Sequence, residues 1–202
     1  RFNPALELAV EEANRLGLPV VACFGLLDGS NGFPEANARH YAFLLEGLAD
    51  AAEGLAKRGI GFVIRKASPA EIAADLSREA ALLVLDRGYL AIQKRWYAEI
   101  RGAVTIRTLQ VEGDVVVPVE IASDHHEHAA RTLRPRLLRR MEDFLHPLPA
   151  RKVRHSAAGL RLPGLDIADP RAVLDGMALD RGVAPVRRFR GGETEARRRL
   201  QI

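Results

Sequence analysis

The sequence contains a single cysteine, Cys23, in 202 residues, which excludes an internal disulfide framework. It also has no stretch near the roughly 20 consecutive apolar residues that a membrane-spanning helix needs, and no signal peptide is visible. Cys23 lies inside an apolar run, which predicts a buried strand residue, and one buried cysteine fits a reducing compartment. We therefore expect a cytoplasmic, monomeric protein with no membrane partner.

The sequence also has no large excess of either charge, because 30 Lys and Arg stand against 26 Asp and Glu and give a net charge of +4. The C-terminal third is nevertheless rich in basic residues: Arg131, Arg134, Arg136, Arg139, Arg140, Arg151, Lys152, Arg154, Arg187, Arg188, Arg190, Arg197, Arg198 and Arg199. This basic sector is compatible with a polyanionic partner. A solvated arginine-rich surface is the alternative, and composition alone favours it.

Short β-branched apolar runs alternate with helical patterns over the first 120 residues. We predict strands at 19–24, 61–65 and 81–86, with further strands at 104–111 and 115–119. Helices are predicted at 4–15, 37–57, from Ser68-Pro69 onward, and at 91–101. This order is typical of an α/β fold, a doubly wound parallel sheet with helices on both faces. We assign residues 1–122 to this domain.

The strand pattern disappears after residue 122, and we interpret residues 123–202 as a mainly helical linker and the start of a second domain. Helices are predicted near 128–144 and 170–180, and another opens after Gly191-Gly192. We expect both ends to be internal to a longer protein, with the first strand missing. Such a sheet has an exposed edge or an unfilled slot, so we expect the chain to behave poorly alone.

Ligands of parallel sheets bind at the carboxyl ends of the strands, where three loops fall: 25–34, 66–68 and 86–89. No Gly-x-Gly-x-x-Gly or phosphate-loop motif is present, which argues against a dinucleotide bound in the Rossmann manner. The third loop offers the carboxylate of Asp86, the guanidinium of Arg87 and the ring of Tyr89, which suit a flat heterocycle. Alternatively, Asp86 caps the next helix and pairs with Arg87.

Other candidate sites are weaker. The spacing of His125 and His128 would allow metal ligation on a helix, but no Cys pair or distant ligand motif accompanies them, and we predict no metal. Trp96 suits electron transfer or base stacking, although an isolated helical tryptophan more often serves packing. The sequence does not support a Ser-His-Asp or Cys-His arrangement, so no catalytic residue is assigned.

Three ordered segments resemble the class II family of cyclobutane-pyrimidine-dimer DNA photolyases. Residues 33–48 (FPEANARHYAFLLEGL) are similar to the family helix N-x-R-H-Y-x-F-L-x-E-G-L. Residues 86–96 (DRGYLAIQKRW) are similar to D-R-G-Y-L-x-x-Q-K-x-W. Residues 117–136 are similar to the V-P-V-E-x-A-S-D … A-x-T-x-R-P-K/R segment that leads into the linker. The terminal 189–193 (FRGGE) also resembles the entry to the helical flavin domain.

The resemblance implies a light-driven DNA-repair lyase. Reduced FAD in a C-terminal helical domain would pass an electron to a pyrimidine dimer flipped out of UV-damaged DNA. The flavin and dimer sites would lie beyond Ile202, so this chain alone would be inactive. A cryptochrome-like photoreceptor and a non-enzymatic nucleotide-binding α/β module remain as alternatives.

The resemblance also implies, in some members, a second antenna chromophore of the deazaflavin type held by the α/β domain. The strand ends offer six candidate residues for it: Phe24, Asp28, Asp86, Arg87, Tyr89 and Lys94. Their two aromatic rings and carboxylates suit a planar, hydroxylated ring system.

Overall fold

A computed structural model describes residues 3–29 and 32–201. The first part contains α1 (Pro4–Leu16), β1 (Val21–Gly25), α2 (Ala38–Lys57), β2 (Gly61–Arg65), α3 (Pro69–Leu76), β3 (Leu83–Asp86), α4 (Ala91–Ala103) and β4 (Thr108–Val111). The second part contains α5 (Val119–Ala122), α6 (Ala130–Phe144), α7 (Pro170–Asp175) and α8 (Glu193–Leu200). Ser30 and Asn31 of the first predicted loop lie outside the described residues, as do Arg1, Phe2 and Ile202.

Side-chain caps mark where α1, α2 and α3 begin. Asn3 caps α1 by accepting the Leu6 backbone N–H at 2.7 Å. Ser68 and Glu71 form a reciprocal capping box on α3, with distances of 2.7 and 3.1 Å. Asn37 caps α2 in the same way. These local signals place the helix starts within a residue of the predicted positions.

The strands form two parallel pairs, which confirms the α/β class and the parallel arrangement. β1 pairs with β2 in the register Val21 to Gly61, and β3 pairs with β4 in the register Leu83 to Thr108. Within the described residues, no ladder joins the two pairs. The predicted single sheet is therefore divided, and a cavity lies between β1 and β3.

The strand predicted at 115–119 is wrong. Val115–Val117 run as irregular chain, and α5 begins directly after Pro118. Proline has no N–H for a strand ladder, and the N–H of Val119 donates instead to Glu112 Oε1 at 3.0 Å. Two other predicted elements are shorter than expected: the strand at 104–111 begins at Thr108 because α4 continues to Ala103, and the helix at 170–180 ends at Asp175.

The segment predicted as a linker packs back onto the α/β part. Leu174 and Met177 are buried beside Leu45 and Ile64 in the largest core cluster. The Leu165 N–H donates to the Ile64 carbonyl at 2.7 Å. This segment therefore completes the core next to β2, and the boundary at residue 122 stays a prediction.

The prediction that Cys23 is a buried strand residue is wrong on burial, because its side chain is exposed. It lines the cavity between the strand pairs, so solvent reaches it even though protein atoms surround it. That surrounding protein raises the pKa of the Cys23 thiol. In the described part of the chain, no helix is both long and apolar enough to cross a membrane.

Candidate functional site

The turn after β3 is held in shape by the side chain of Tyr97. Its hydroxyl donates to the Asp86 carbonyl at 2.7 Å and accepts the Gly88 N–H at 2.8 Å. A Cβ on Gly88 would lie 2.2 Å from the Gln93 amide, and Gln93 accepts the Leu90 N–H at 3.0 Å to start α4. The alternative in which Asp86 caps the helix is not seen, since the cap position is Leu90.

The side chains of this turn belong to a polar network at the carboxyl ends of β3 and β4. Arg87 forms an ion pair with Glu120 of α5, and its guanidinium lies 5.5 Å from the centre of the Tyr89 ring. The Tyr89 hydroxyl donates to Glu112 Oε1 at 2.7 Å. The network connects the turn to the end of β4 and to α5, which presents the Tyr89 ring in a fixed place at the surface.

Electrostatics keep these groups in defined protonation states. Burial and then the hydrogen bond to Glu112 raise the pKa of Tyr89 to about 12. The hydrogen bond and charge of Arg87 lower the pKa of Glu120. At neutral pH, Tyr89 is therefore a hydrogen-bond donor and Glu120 an anion.

The structure does not gather the six predicted residues in one place. Asp86, Arg87 and Tyr89 share the turn after β3, and Asn3 Nδ2 lies 3.4 Å from Asp86 Oδ1. Phe24 lines the cavity between β1 and β3. Lys94 is exposed on α4.

Asp28 lines a separate cavity of about 530 Å³ at the carboxyl ends of β1 and β2. Lys66, Ser68 and Glu71 line the same cavity, and the Lys66 ammonium donates to the Gly176 carbonyl at 3.1 Å. This volume lies within the roughly 300–1,000 Å³ usual for small-molecule sites. A small polar pocket is thus formed between the strand ends and the end of α7.

Sequence reasoning missed several residues that shape these places. Glu112, Glu120 and Tyr97 organise the turn after β3, and Gly176 closes the smaller cavity. Of these, only Glu120 lies inside one of the three family-like segments. Lys66 and Gly176 are 110 residues apart, a separation at which periodicity carries no information.

His125 of the histidine cluster contacts two acidic side chains. His125 lies 2.7 Å from Asp124 and 3.2 Å from Glu127, and Arg136 lies 2.7 Å from Glu127. Across the described residues, no three His, Cys, Asp or Glu side chains are arranged to hold a metal ion.

Within the described residues, six of the fourteen basic residues in the C-terminal sector form ion pairs with acids. Arg140 pairs with Asp143, Arg151 with Glu11, and Arg197 with Glu193. Two hydrogen-bonded arginines lower the pKa of Glu195 to about 2. Both interpretations of the sector, a polyanionic partner and a solvated surface, therefore stay predictions.

The parallel strand pairs and the covering helices define an α/β domain of the doubly wound class. The family model described as DNA photolyase matches residues 1–153. The chain belongs to the DNA photolyase family.

Relatives with known names agree with this assignment. Deoxyribodipyrimidine photo-lyase of Methanothermobacter thermautotrophicus is 43% identical over 195 residues, which cover 96% of this chain and 42% of that protein. The protein of the same name from Potorous tridactylus is 28% identical over 91% of this chain and 34% of its own length. The chain thus spans less than half the length of these relatives.

A solved structure supports the fold. The bacterial class III photolyase from Agrobacterium tumefaciens matches with a TM-score of 0.57 and 20% identity, covering 82% of this chain and 35% of that one. At this identity the likeness concerns the fold alone, and membership of class II stays a prediction from the motifs.

Proposed function

We propose that this chain is the N-terminal half of a light-driven DNA-repair enzyme that splits cyclobutane pyrimidine dimers. The observation that carries the proposal is the 43% identity to a deoxyribodipyrimidine photo-lyase across 96% of the chain. Identity at this level along almost the whole chain supports a shared activity far better than a shared fold does. The three ordered motifs favour class II.

FAD would be held by residues outside this chain and would supply the photochemical electron. The role of this chain is to provide the α/β scaffold and to hold the segment that leads into the flavin domain. Gly191 donates its N–H to Glu46 at 2.8 Å, and Asp50 accepts the N–H groups of Glu193 and Thr194 at 2.6 and 3.1 Å. These bonds dock the start of α8 on α2 and would orient the flavin domain relative to the α/β part.

The activity is tested with the full-length parent protein, reduced and illuminated with near-UV or blue light. Its substrate is an oligonucleotide carrying one thymine dimer, and repair restores the thymine absorbance near 260 nm. We expect restoration in light and none in a matched dark sample. Bound flavin without repair would favour the photoreceptor alternative, and the absence of flavin would favour the nucleotide-binding module.

A deazaflavin-type antenna at the strand ends is the finer part of the proposal. Two places suit parts of such a molecule: the Tyr89 ring with its adjacent guanidinium, and the polar cavity lined by Asp28 and Lys66. Adding 8-hydroxy-5-deazaflavin to the full-length protein should produce a red-shifted bound absorption band. Asp28→Ala and Tyr89→Ala then identify which place holds it. No shift at saturating chromophore would contradict the antenna proposal.

A further inference from the structure

The charges of the chain are divided unevenly along its length. Residues 1–122 contain 13 Lys and Arg against 16 Asp and Glu, a net charge of −3. Residues 123–202 contain 17 against 10, a net charge of +7. A surface with an excess of one sign attracts partners of the opposite sign. The second part therefore carries the positive charge through which a polyanion would be attracted.

The helix α6 in this part has an apolar stripe and a side that is open to solvent. The stripe recurs at helical spacing and its members are all half-buried: Leu133, Leu137, Met141 and Phe144. Leu138 lies outside the stripe and is 55% exposed. Among the described helices and strands, α6 packs mainly against α5. The side of α6 that carries Leu138 is therefore accessible to a partner.

Three exposed arginines surround this open side, namely Arg131, Arg134 and Arg139. With 3.6 residues per turn they lie within about 140° around the helix axis. Within the part of the chain that the structure describes, none of them forms an ion pair, whereas the other two arginines of α6 pair with acids. Arg139 donates only its Nε–H, to the Pro135 carbonyl at 3.3 Å. Glu142 is the one acid on this side of the helix, so the side has an excess of positive charge.

We propose that Arg131, Arg134 and Arg139 of α6 contact the phosphate backbone of duplex DNA, whatever its sequence and whether or not it is damaged. This inference rests on the proposed DNA-repair function, which supplies the polyanion. The three residues extend over about 12 Å of the helix at 1.5 Å per residue. Duplex DNA carries one charge per 1.7 Å of its axis, so about seven phosphates face that length. Guanidinium groups suit phosphate oxygens because they donate two parallel hydrogen bonds.

The composition of this side favours a phosphate backbone over a protein partner. Protein interfaces are built around an apolar centre from which charged residues are depleted, and here Leu138 is the one apolar side chain among the three arginines. Contacts to phosphates carry no information about base sequence. They would raise the affinity for undamaged and damaged duplexes alike, and would hold the enzyme on DNA while it searches for a dimer.

The test measures binding of the full-length parent protein to two matched duplexes, one undamaged and one carrying a single thymine dimer. Fluorescence anisotropy is recorded in the dark over a range of salt concentrations. In the triple variant Arg131→Gln, Arg134→Gln, Arg139→Gln, we expect both affinities to fall by the same factor, roughly tenfold or more at low salt. The slope of log K against log salt should decrease by about 2–3, since each phosphate contact contributes about 0.9.

A matched control removes the same charge from the α/β part. Arg78, Arg101 and Arg107 are exposed there, and their triple replacement by Gln should change both affinities less than about twofold, because salt screens distant charges. Replacing the three arginines of α6 by Lys should retain most of the affinity, since the salt-dependent contribution needs the charge.

An unchanged salt slope in the α6 variant, or an equal loss in the control, would overturn the inference and leave the repair function standing. A loss confined to the dimer-containing duplex would also overturn it, because α6 would then act at the dimer. So would a loss of bound flavin, which would indicate that the flavin domain covers this side. A parent protein that binds neither duplex and repairs no dimer would refute both proposals.

Discussion

At the scale of single residues, Glu7 is the one charged side chain that is buried among the residues the structure describes, with 2% of its surface exposed. Both carboxylate oxygens bond the Arg58 guanidinium, at 2.7 and 3.0 Å, and one also accepts the Arg151 N–H at 2.6 Å. The group thereby ties α1 to the end of α2 and to the returning C-terminal segment. A buried charge in this setting depends on keeping all its partners.

We expect Glu7→Gln to lower the free energy of unfolding by about 3 kcal/mol, because it removes the buried charge that pairs with the largely buried Arg58 guanidinium. Urea denaturation followed by circular dichroism measures the change. Glu11→Gln is the matched control, since Glu11 pairs with Arg151 at 2.8 Å but both side chains are more than 40% exposed; it should cost less than about 1 kcal/mol. Equal losses would contradict a special role for Glu7.

The same carboxylate makes stability depend on pH. Burial opposes ionisation of Glu7 and is the largest single influence, but the hydrogen bonds from Arg58 and from the Arg151 backbone outweigh it, so the pKa of Glu7 lies below its usual 4.5. A lowered folded-state pKa stabilises above the unfolded pKa and is lost as pH falls through the folded one. The stability difference between the natural chain and Glu7→Gln should stay constant from pH 7 to about 5 and shrink below about 4.5. A difference that grows on acidification would refute this assignment.

At the scale of elements, α8 is attached to α2 where the chain just before α8 crosses that helix at Gly191, with the two backbones in close contact. A Cβ on Gly191 would lie 2.0 Å from the Phe43 carbonyl oxygen and 2.8 Å from the Gly47 nitrogen. Both are backbone atoms of α2, so the chain could not move aside without breaking the Glu46 and Asp50 bonds. Gly191 is therefore required by contact between two backbones.

Gly191→Ala should free α8 and speed hydrogen exchange at residues 193–200 by roughly tenfold, as measured by mass spectrometry. Gly54→Ala in α2 is the matched control, because its Cβ would meet nothing within 4 Å. It should stabilise the chain by about 0.5–1 kcal/mol through the higher helix propensity of alanine. If Gly191→Ala leaves exchange in α8 unchanged, the crossing does not hold the helix.

How well the elements could be predicted depended on whether their signals were local. β2 was predicted at its exact bounds because Phe62, Val63 and Ile64 form a β-branched and aromatic run between turn residues. The valines at 115–117 carry the same local signal, but they join no ladder, because Pro118 has no N–H and the Val119 N–H donates to Glu112 Oε1. Cys23 looked buried because an apolar run predicts a strand but does not tell whether that strand has a neighbour on each side.

The candidate site was predictable only in part for the same reason. The turn at 86–89 was recognisable because its charged and aromatic residues follow a strand directly. Its partners Glu112 and Glu120 come from the chain just after β4 and from α5, and their arrangement depends on tertiary packing. The antenna set stays a prediction, and its members lie at separate places along the strand ends.

At the scale of the whole molecule, the segment from 151 to 182 forms part of the core rather than a loose connection. Leu174 of α7 is 9% exposed and packs with Tyr41 and Leu45 of α2. Backbone bonds at Gly59 and Ile64 hold the same segment along β2. The α/β part and this segment should therefore unfold together in a single transition.

Leu174→Ala tests this coupling, because it opens a cavity between α7 and α2. We expect a loss of about 2–4 kcal/mol in the free energy of unfolding, with fluorescence of Trp96 in α4 and far-ultraviolet circular dichroism reporting one shared midpoint. Leu138→Ala makes the same chemical change on α6, where the side chain is 55% exposed, and should cost less than about 0.5 kcal/mol. If 151–182 were an independent linker, Leu174→Ala would match Leu138→Ala and leave the Trp96 midpoint unmoved. A shifted common midpoint therefore places the stability of the α/β part in the contacts that the C-terminal segment makes with α2.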